Sequence, residues 1–202
     1  YDSILNSTVT YNIWYGVNIT GSHDSVVNSA VDYNDYGVYV AGDNDSIVSS
    51  TVGGSWYGVY INGSYDSILN STVTYNIWYG VKVAGDNDSF VGDRFVWDGL
   101  VLAGPYYEVV ANDTVNGRPL VFLYDASNVT VSHAGEVIAI DSRGVKVVGV
   151  NVSYASAGVQ FWDVNDSIIE DVVAFGNVFG VEVAGSHDSI VSSNVSYNIW
   201  VG

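Results

Sequence analysis

The 202-residue chain has no cysteine, no methionine, two prolines, and five Lys plus Arg against 22 Asp plus Glu. Without cysteine there is no disulfide framework, and the redox compartment stays open. A formal net charge of -17 repels nucleic acid, anionic membrane surfaces and acidic polysaccharides, so no nucleic-acid partner is expected. No stretch approaches the roughly 20 apolar residues of a spanning helix, so no membrane insertion is expected within this chain. Leucine is too sparse for a leucine-rich framework. No leader is visible, and the chain opens and closes in mid-repeat, as a mature or excerpted segment would.

What is present is repetition. YDSILNSTVTYNIWYGV at residues 1–17 returns letter for letter at 65–81, VAGDNDS at 40–46 returns at 83–89, and GSHDS at 21–25 returns at 185–189. Asp-Ser pairs begin at Asp2, Asp24, Asp45, Asp66, Asp88, Asp166 and Asp188, a step of 21 or 22 residues. A glycine at 16, 37, 58, 80, 99, 158, 180 and 202 marks the same step, and most of these open apolar alternations such as Val17/Ile19, Val38/Val40, Val59/Ile61 and Val181/Val183. Period two means a strand with one buried face, and self-similarity at this length marks a stacked array.

A unit this short, with Gly, Asn, Asp and Ser at its corners, has room for two or three strands and none for a helix. The expected fold is all-β: a single-stranded parallel β-helix, or solenoid, of about nine to ten coils. At roughly 4.8 Å per coil it would form a rod on the order of 45 Å long. Residues 1–202 form one domain: regular coils over 1–94, irregular coils over 95–142 with a loop near 111–119, and regular coils again over 143–202. The irregular part is expected to continue the rod.

In that middle, ANDTVNGRPLVFLYDASNVTV (111–131) followed by AGEVIAIDSRGVKVVGVNVSYASAGVQFWDVNDSII (134–169) resembles NosD-type parallel β-helix repeat proteins. The flanking coils are similar to the broader pectin-lyase-like carbohydrate-binding and sugar-hydrolase β-helices. The resemblance implies a right-handed helix and an extracellular or cell-surface location, and its family name is associated with copper delivery. Copper needs soft thiolate or thioether ligands, or clustered imidazoles. His23, His133 and His187 are the only histidines. In a straight rod His23 and His187 stand near 38 Å apart, so they are expected at solvent-facing corners, and no metal site is assigned.

The recurring Asp residues stack into a column, where like charges repel by about 1 kcal/mol per pair in water. They are expected to splay into solvent with local Asx hydrogen bonds in their turns. Calcium is the cation that would suit the doublets Asp43-Asn44-Asp45 and Asp86-Asn87-Asp88, and no other cofactor is implied. Asn12, Asn34, Asn76, Asn177 and Asn198 precede the strand-opening glycine and are expected to form a structural asparagine ladder.

Two features stand above the scaffold. Asn6, Asn18, Asn44, Asn62, Asn70, Asn87, Asn112, Asn128, Asn151, Asn165 and Asn194 are each followed two positions on by Ser or Thr, with no proline between: glycosylation candidates. Trp14, Tyr36, Trp56, Trp78 and Trp200, with Tyr11, Tyr33, Tyr75 and Tyr197 just before the corner, are expected to form an aromatic interaction stripe. No catalytic residue is assigned. The basic residues Lys82, Arg94, Arg118, Arg143 and Lys146 fall near Asp93, Asp98, Glu136 and Asp141, so a lyase or glycosidase site, if one existed, would lie within 93–146. The expected role is a non-catalytic, glycosylated segment of a surface fibre, filament or appendage, partnered by copies of itself, end to end or laterally. A carbohydrate-binding module using the same aromatics is the alternative.

Overall fold

The computed structural model describes residues 1–202, and all of its regular structure is β. One coil shows how the repeat works. Ser25–Val27, Ala30–Asp32 and Tyr36–Val40 are three short strands joined by tight corners. Each stacks in parallel on its counterpart a coil later: Val26 opposite Ile47, Val31 opposite Val52, Val38 opposite Val59. The inward members are sealed, with Val26, Val31, Val38, Val52 and Val59 all 0% exposed. Period-two alternation therefore becomes a continuous core running along the stack.

The corners are left-handed. Asn28, Tyr33 and Asn44 have φ of 51°, 58° and 61°, and their equivalents in neighbouring coils repeat this. Asparagine enters that region readily, whereas tyrosine seldom does, at a cost on the order of 1 kcal/mol. At the second corner the strain is offset by stacking. The Tyr11 and Tyr33 rings lie 5.2 Å apart and 9° from parallel, and the Tyr33 ring fills the space where a Cβ on Gly54 would sit.

The left-handed residues themselves donate to backbone of the next coil, Asn28 N–H to the Val48 carbonyl and Tyr33 N–H to that of Gly53. The N–H of the following residue has no such carbonyl, and because a buried unpaired N–H is expensive it is met by a side chain one coil later, which makes three ladders. At one corner the N–H groups of Asp2, Asp24, Asp45, Asp66 and Asp88 donate to the carboxylates of Asp24, Asp45, Asp66, Asp88 and Glu108 at 2.6–2.8 Å. At the next, Ser7, Ser29 and Ser50 donate to the hydroxyls of Ser29, Ser50 and Ser71, and the series ends on Asp93 and Asp113. At the third, Asn12, Asn34, Ser55 and Asn76 donate to Asn34, Ser55, Asn76 and Asp98.

The stack does not continue as a straight rod. Thr114–Val115 lies parallel to Arg94–Val96, but the next strand, Arg118–Tyr124, pairs with it antiparallel, Thr114 opposite Pro119 and Val115 opposite Arg118. Between them Asn116 and Gly117 have φ of 51° and 76°. An Asn-Gly pair with both residues left-handed is the two-residue hairpin turn. Past it the parallel stacking resumes through Glu136–Ile140, Ala157–Asn165 and Phe179–Ser186. The two halves have separate cores, one of 23 buried residues led by the first half and one of 15 drawn wholly from the second.

The second half then folds back along the first. Asn116 bonds to the carbonyls of Ser153 and Tyr154, Trp97 packs on Tyr154 at 4.3 Å, Tyr79 on Phe179 at 6.1 Å and Trp78 on Trp200 at 5.8 Å. Descending the first stack is ascending the second, so the two run antiparallel. The expectation of a single continuous rod is corrected at this joint, because one hairpin reverses the direction of stacking.

Candidate functional site

The open edge of the first stack is closed by side chains. Leu100–Leu102 is the last strand of its sheet, and such an edge is a template for foreign strands. Leu100 N–H donates to Glu136 Oε1 at 3.0 Å, and Leu102 N–H to Gln160 Oε1 at 3.0 Å, while Gln160 Nε2 donates to the Leu102 carbonyl at 2.9 Å. Ser156 Oγ accepts from the N–H groups of Gly80 and Gly99, both at 2.9 Å. Polar side chains of the second half thus stand in for a missing strand. Residues 93–146 contribute to an internal joint, and its acids serve backbone.

Asp93, Asp98 and Glu136 are closed to solvent, whereas Asp141 is exposed. Glu136 is 0% exposed, Asp98 2% and Asp93 1%. Burial pushes Asp98 up to about 8, against the opposing hydrogen bonds from Asn76. Burial also holds Glu136 well above its ordinary range, and the neighbouring Asp98 adds to it. The basic residues face elsewhere. Arg143 pairs with Asp166 at 2.7 Å on the surface, Arg118 Nη1 donates to the Asn151 carbonyl, and the Lys82 ammonium sits 5.3 Å from the Tyr60 ring centre. No cleft joins acids to bases.

The Asp column is also placed differently from the sequence reading. Asp45, Asp66 and Asp88 are 0–2% exposed, and each carboxylate accepts an N–H one coil earlier instead of closing a local Asx turn. Their second oxygens have no partner. Burial is the leading cause of the raised pKa of Asp66 and Asp88, to about 7 in each case, outweighing the favourable amide bond. At the half-buried Asp24, near the end of the stack, the same bond, from Asp2 N–H, is the leading cause and the pKa falls. The doublets split: Asp43 faces outward, where its carboxylate takes Ser64 N–H, while Asp45 faces in. No group of three or more His, Asp or Glu side chains is gathered as a metal site. His23 and His187 are exposed corner residues, as is His133.

The asparagine positions are joined in runs: Asn12 to Asn34, Asn76 to Asp98, and in the second half Ala155 N–H to Asn177 and Asn177 N–H to Asn198. Ser55 and Asp98 complete the first run, members that their residue types had hidden.

The aromatic stripe resolves into two columns and an open face. Tyr15, Tyr36, Tyr57 and Tyr79 stack on the outer side of the third strand at 4.6–5.8 Å and continue onto Phe179. Tyr36 belongs to this column and not to a line with the tryptophans; the coil-two counterpart of Trp14 is Asp35. The corner aromatics form the other column, with Tyr75 stacked on Trp97 at 6.1 Å. Trp78, half-buried, meets the edge of Trp200 at the contact between halves, and Trp200 stays 65% exposed. Trp14 and Trp56 have no ring partner and are 69% and 48% exposed. Trp56 lines a shallow groove along the first stack with Tyr11, Ile13, Tyr33 and Ile77, and the exposed Trp14 follows Ile13 directly in the chain.

The sequon asparagines lie outside the core: Asn6, Asn18, Asn44, Asn62, Asn70, Asn112, Asn128, Asn151 and Asn194 are exposed, and Asn87 and Asn165 half-buried. Several, including Asn6, Asn44, Asn70 and Asn112, sit at left-handed corners.

No family model matches the chain, and no curated protein matches it. Among solved structures, it is similar to one of QnrB1, a plasmid-mediated fluoroquinolone resistance protein. That match covers 97% of this chain and 92% of the other at 7% identity and a TM-score of 0.20. A likeness this distant carries no functional argument.

Proposed function

We propose that the chain is a non-catalytic structural solenoid of the cell surface, a glycosylated segment of a fibre, filament or appendage that associates with copies of itself side by side. The observation that carries this reading is the open face lined by Tyr11, Ile13, Tyr33, Trp56 and Ile77, with exposed Trp14 next to Ile13 in the chain. A contiguous row of large apolar side chains, left uncovered on a chain otherwise rich in polar and acidic groups, marks an interaction surface. The solvent-facing sequons support an extracellular location, as does the resemblance of residues 111–169 to NosD-type β-helix repeats. The burial of Asp93, Asp98 and Glu136 away from the basic residues speaks against a lyase or glycosidase in the middle third.

Carbohydrate binding draws on the same Trp14 and Trp56, whose rings have no ring partner, while the columned tyrosines turn their faces to one another and offer a sugar none. Assembly separates the two readings. Replacing Trp14 and Trp56 together with Ala is expected to abolish assembly of a folded chain. Loss of glycan binding by a stable monomer would transfer the role to the carbohydrate module.

A further inference from the structure

We infer that the open face bearing Tyr11, Ile13, Trp14 and Trp56 docks onto the same face of a second copy of this chain, the two copies related by a two-fold axis. This rests on the self-association proposed above and specifies its surface and symmetry.

The partner is read from a contact the chain already makes with itself. Tyr-Asn-Ile-Trp occurs three times, at 11–14, 75–78 and 197–200. The second and third copies meet across the joint between halves: Trp78 and Trp200 pack edge to face at 5.8 Å, and Ile77 and Ile199 line one groove. The first copy has the same side chains but no partner copy: Trp14 is 69% exposed with no ring against it and Ile13 80%, whereas Trp78 is half-buried and meets Trp200, which itself keeps 65% of its surface open at the margin of the contact. The surfaces are continuous, because Ile77 lines both the groove at the internal contact and the one on the open face. Symmetry agrees. The internal contact is between stacks running antiparallel, and a two-fold axis across the stack direction gives two copies the same opposed arrangement, making the contact isologous and closed. No sequon asparagine lines either groove, so glycans elsewhere leave the face clear.

Charge sets the conditions. Each copy carries -17 and places Asp35 in the face, so association works against repulsion and strengthens with salt. The screening length falls from about 10 Å at 0.1 M to about 3 Å at 1 M.

Sedimentation velocity of the full chain over a concentration series, in about 0.1 M and about 1 M salt, tests the inference. The expected result is a monomer–dimer equilibrium shifted toward dimer by salt, weakened at least tenfold by Trp14→Glu or Ile13→Glu and unchanged by Ile190→Lys on a remote exposed strand. Circular dichroism confirms that each variant stays folded. Because the chain has no cysteine, Asp35→Cys gives a direct symmetry readout: it is expected to form a disulfide-linked dimer readily, and a Ser132→Cys control is not. Oligomers indifferent to Trp14 and Ile13 would overturn this interface while leaving self-association standing. A monomer under every condition would overturn both. A monomer that binds cello- or chito-oligosaccharides through Trp14 would make the face a sugar site and overturn the inference.

Discussion

Asp98 occupies a position that is asparagine in five other coils, at Asn12, Asn34, Asn76, Asn177 and Asn198. Its Oδ2 accepts both the Asn76 N–H and the Asn76 side-chain amide at 3.0 Å, in a site 2% exposed. An asparagine there keeps an acceptor for both bonds and carries no charge. The unfolded chain ionises Asp98 near 3.8, whereas the folded chain holds the proton to about 8. At pH 7 the fold therefore keeps a proton that the unfolded state releases. At about 1.36 kcal/mol per pH unit over roughly three units, this costs about 4 kcal/mol. Asp98→Asn removes that cost. Expressed as a melting temperature, at about 2–4 °C per kcal/mol for a chain of this size, the gain is about 10 °C at pH 7. Below pH 4 both states of the wild type are protonated and the gain shrinks to about 1 kcal/mol or less. Thermal melts of wild type and variant at pH 4 and pH 7 check this. A gain equal at both values, or a loss at pH 7, would refute buried, charge-free Asp98.

The same linkage extends to the whole molecule. With folded values of about 7 for Asp66 and Asp88 and about 8 for Asp93 and Glu108, stability is fully present below pH 4. It is lost as pH rises through 8, so urea midpoints should fall from pH 5 to pH 8, and a rising midpoint would contradict the burial of these acids. Val59→Asn puts an unmatched amide into a fully buried site and should destabilise by about 3 kcal/mol in denaturant titration. A Cβ on Gly63 would run into the Gly42 carbonyl, so Gly63→Ala should destabilise by about 3 kcal/mol or more. Gly117, left-handed with nothing near it, should tolerate alanine at a cost of about 1 kcal/mol. If the sequons are used, intact mass of natively produced protein should exceed 21.7 kDa by several sugar chains, and the bare mass would remove the glycan support for a surface location.

The coil was legible because its rule is local and repeated. Val38/Val40 and Val59/Ile61 alternate at a fixed step, and parallel stacking follows from that. The reversal at residue 116 was carried by a single dipeptide. Asn116-Gly117 between Thr114-Val115 and Pro119-Leu120-Val121 is a hairpin signal, but it stood where the repeat had blurred and reads equally as a loop. Once direction reverses, everything depending on contact between halves passes out of reach of periodicity: Trp78 is identical in sequence context to Trp14 yet half-buried against the second half, and Gln160 replaces a strand. The acid column was misplaced for a different reason. Asp in a turn is ordinarily a surface residue, and only the stacked corner N–H groups, invisible in sequence, make an inward carboxylate the better partner. The open aromatic face was legible as residues but not as a face, since Tyr36 and Trp78 belong to it by spacing and leave it by geometry.

Electron microscopy of natively produced material, beside a Trp14→Ala/Trp56→Ala double variant, tests the structural role most directly. Laterally paired solenoids are expected from the wild type, free or joined through further contacts into filaments or a surface lattice, with dispersal to single folded solenoids in the variant. Unpaired solenoids from the wild type at high protein and salt concentration would contradict a structural, self-associating function.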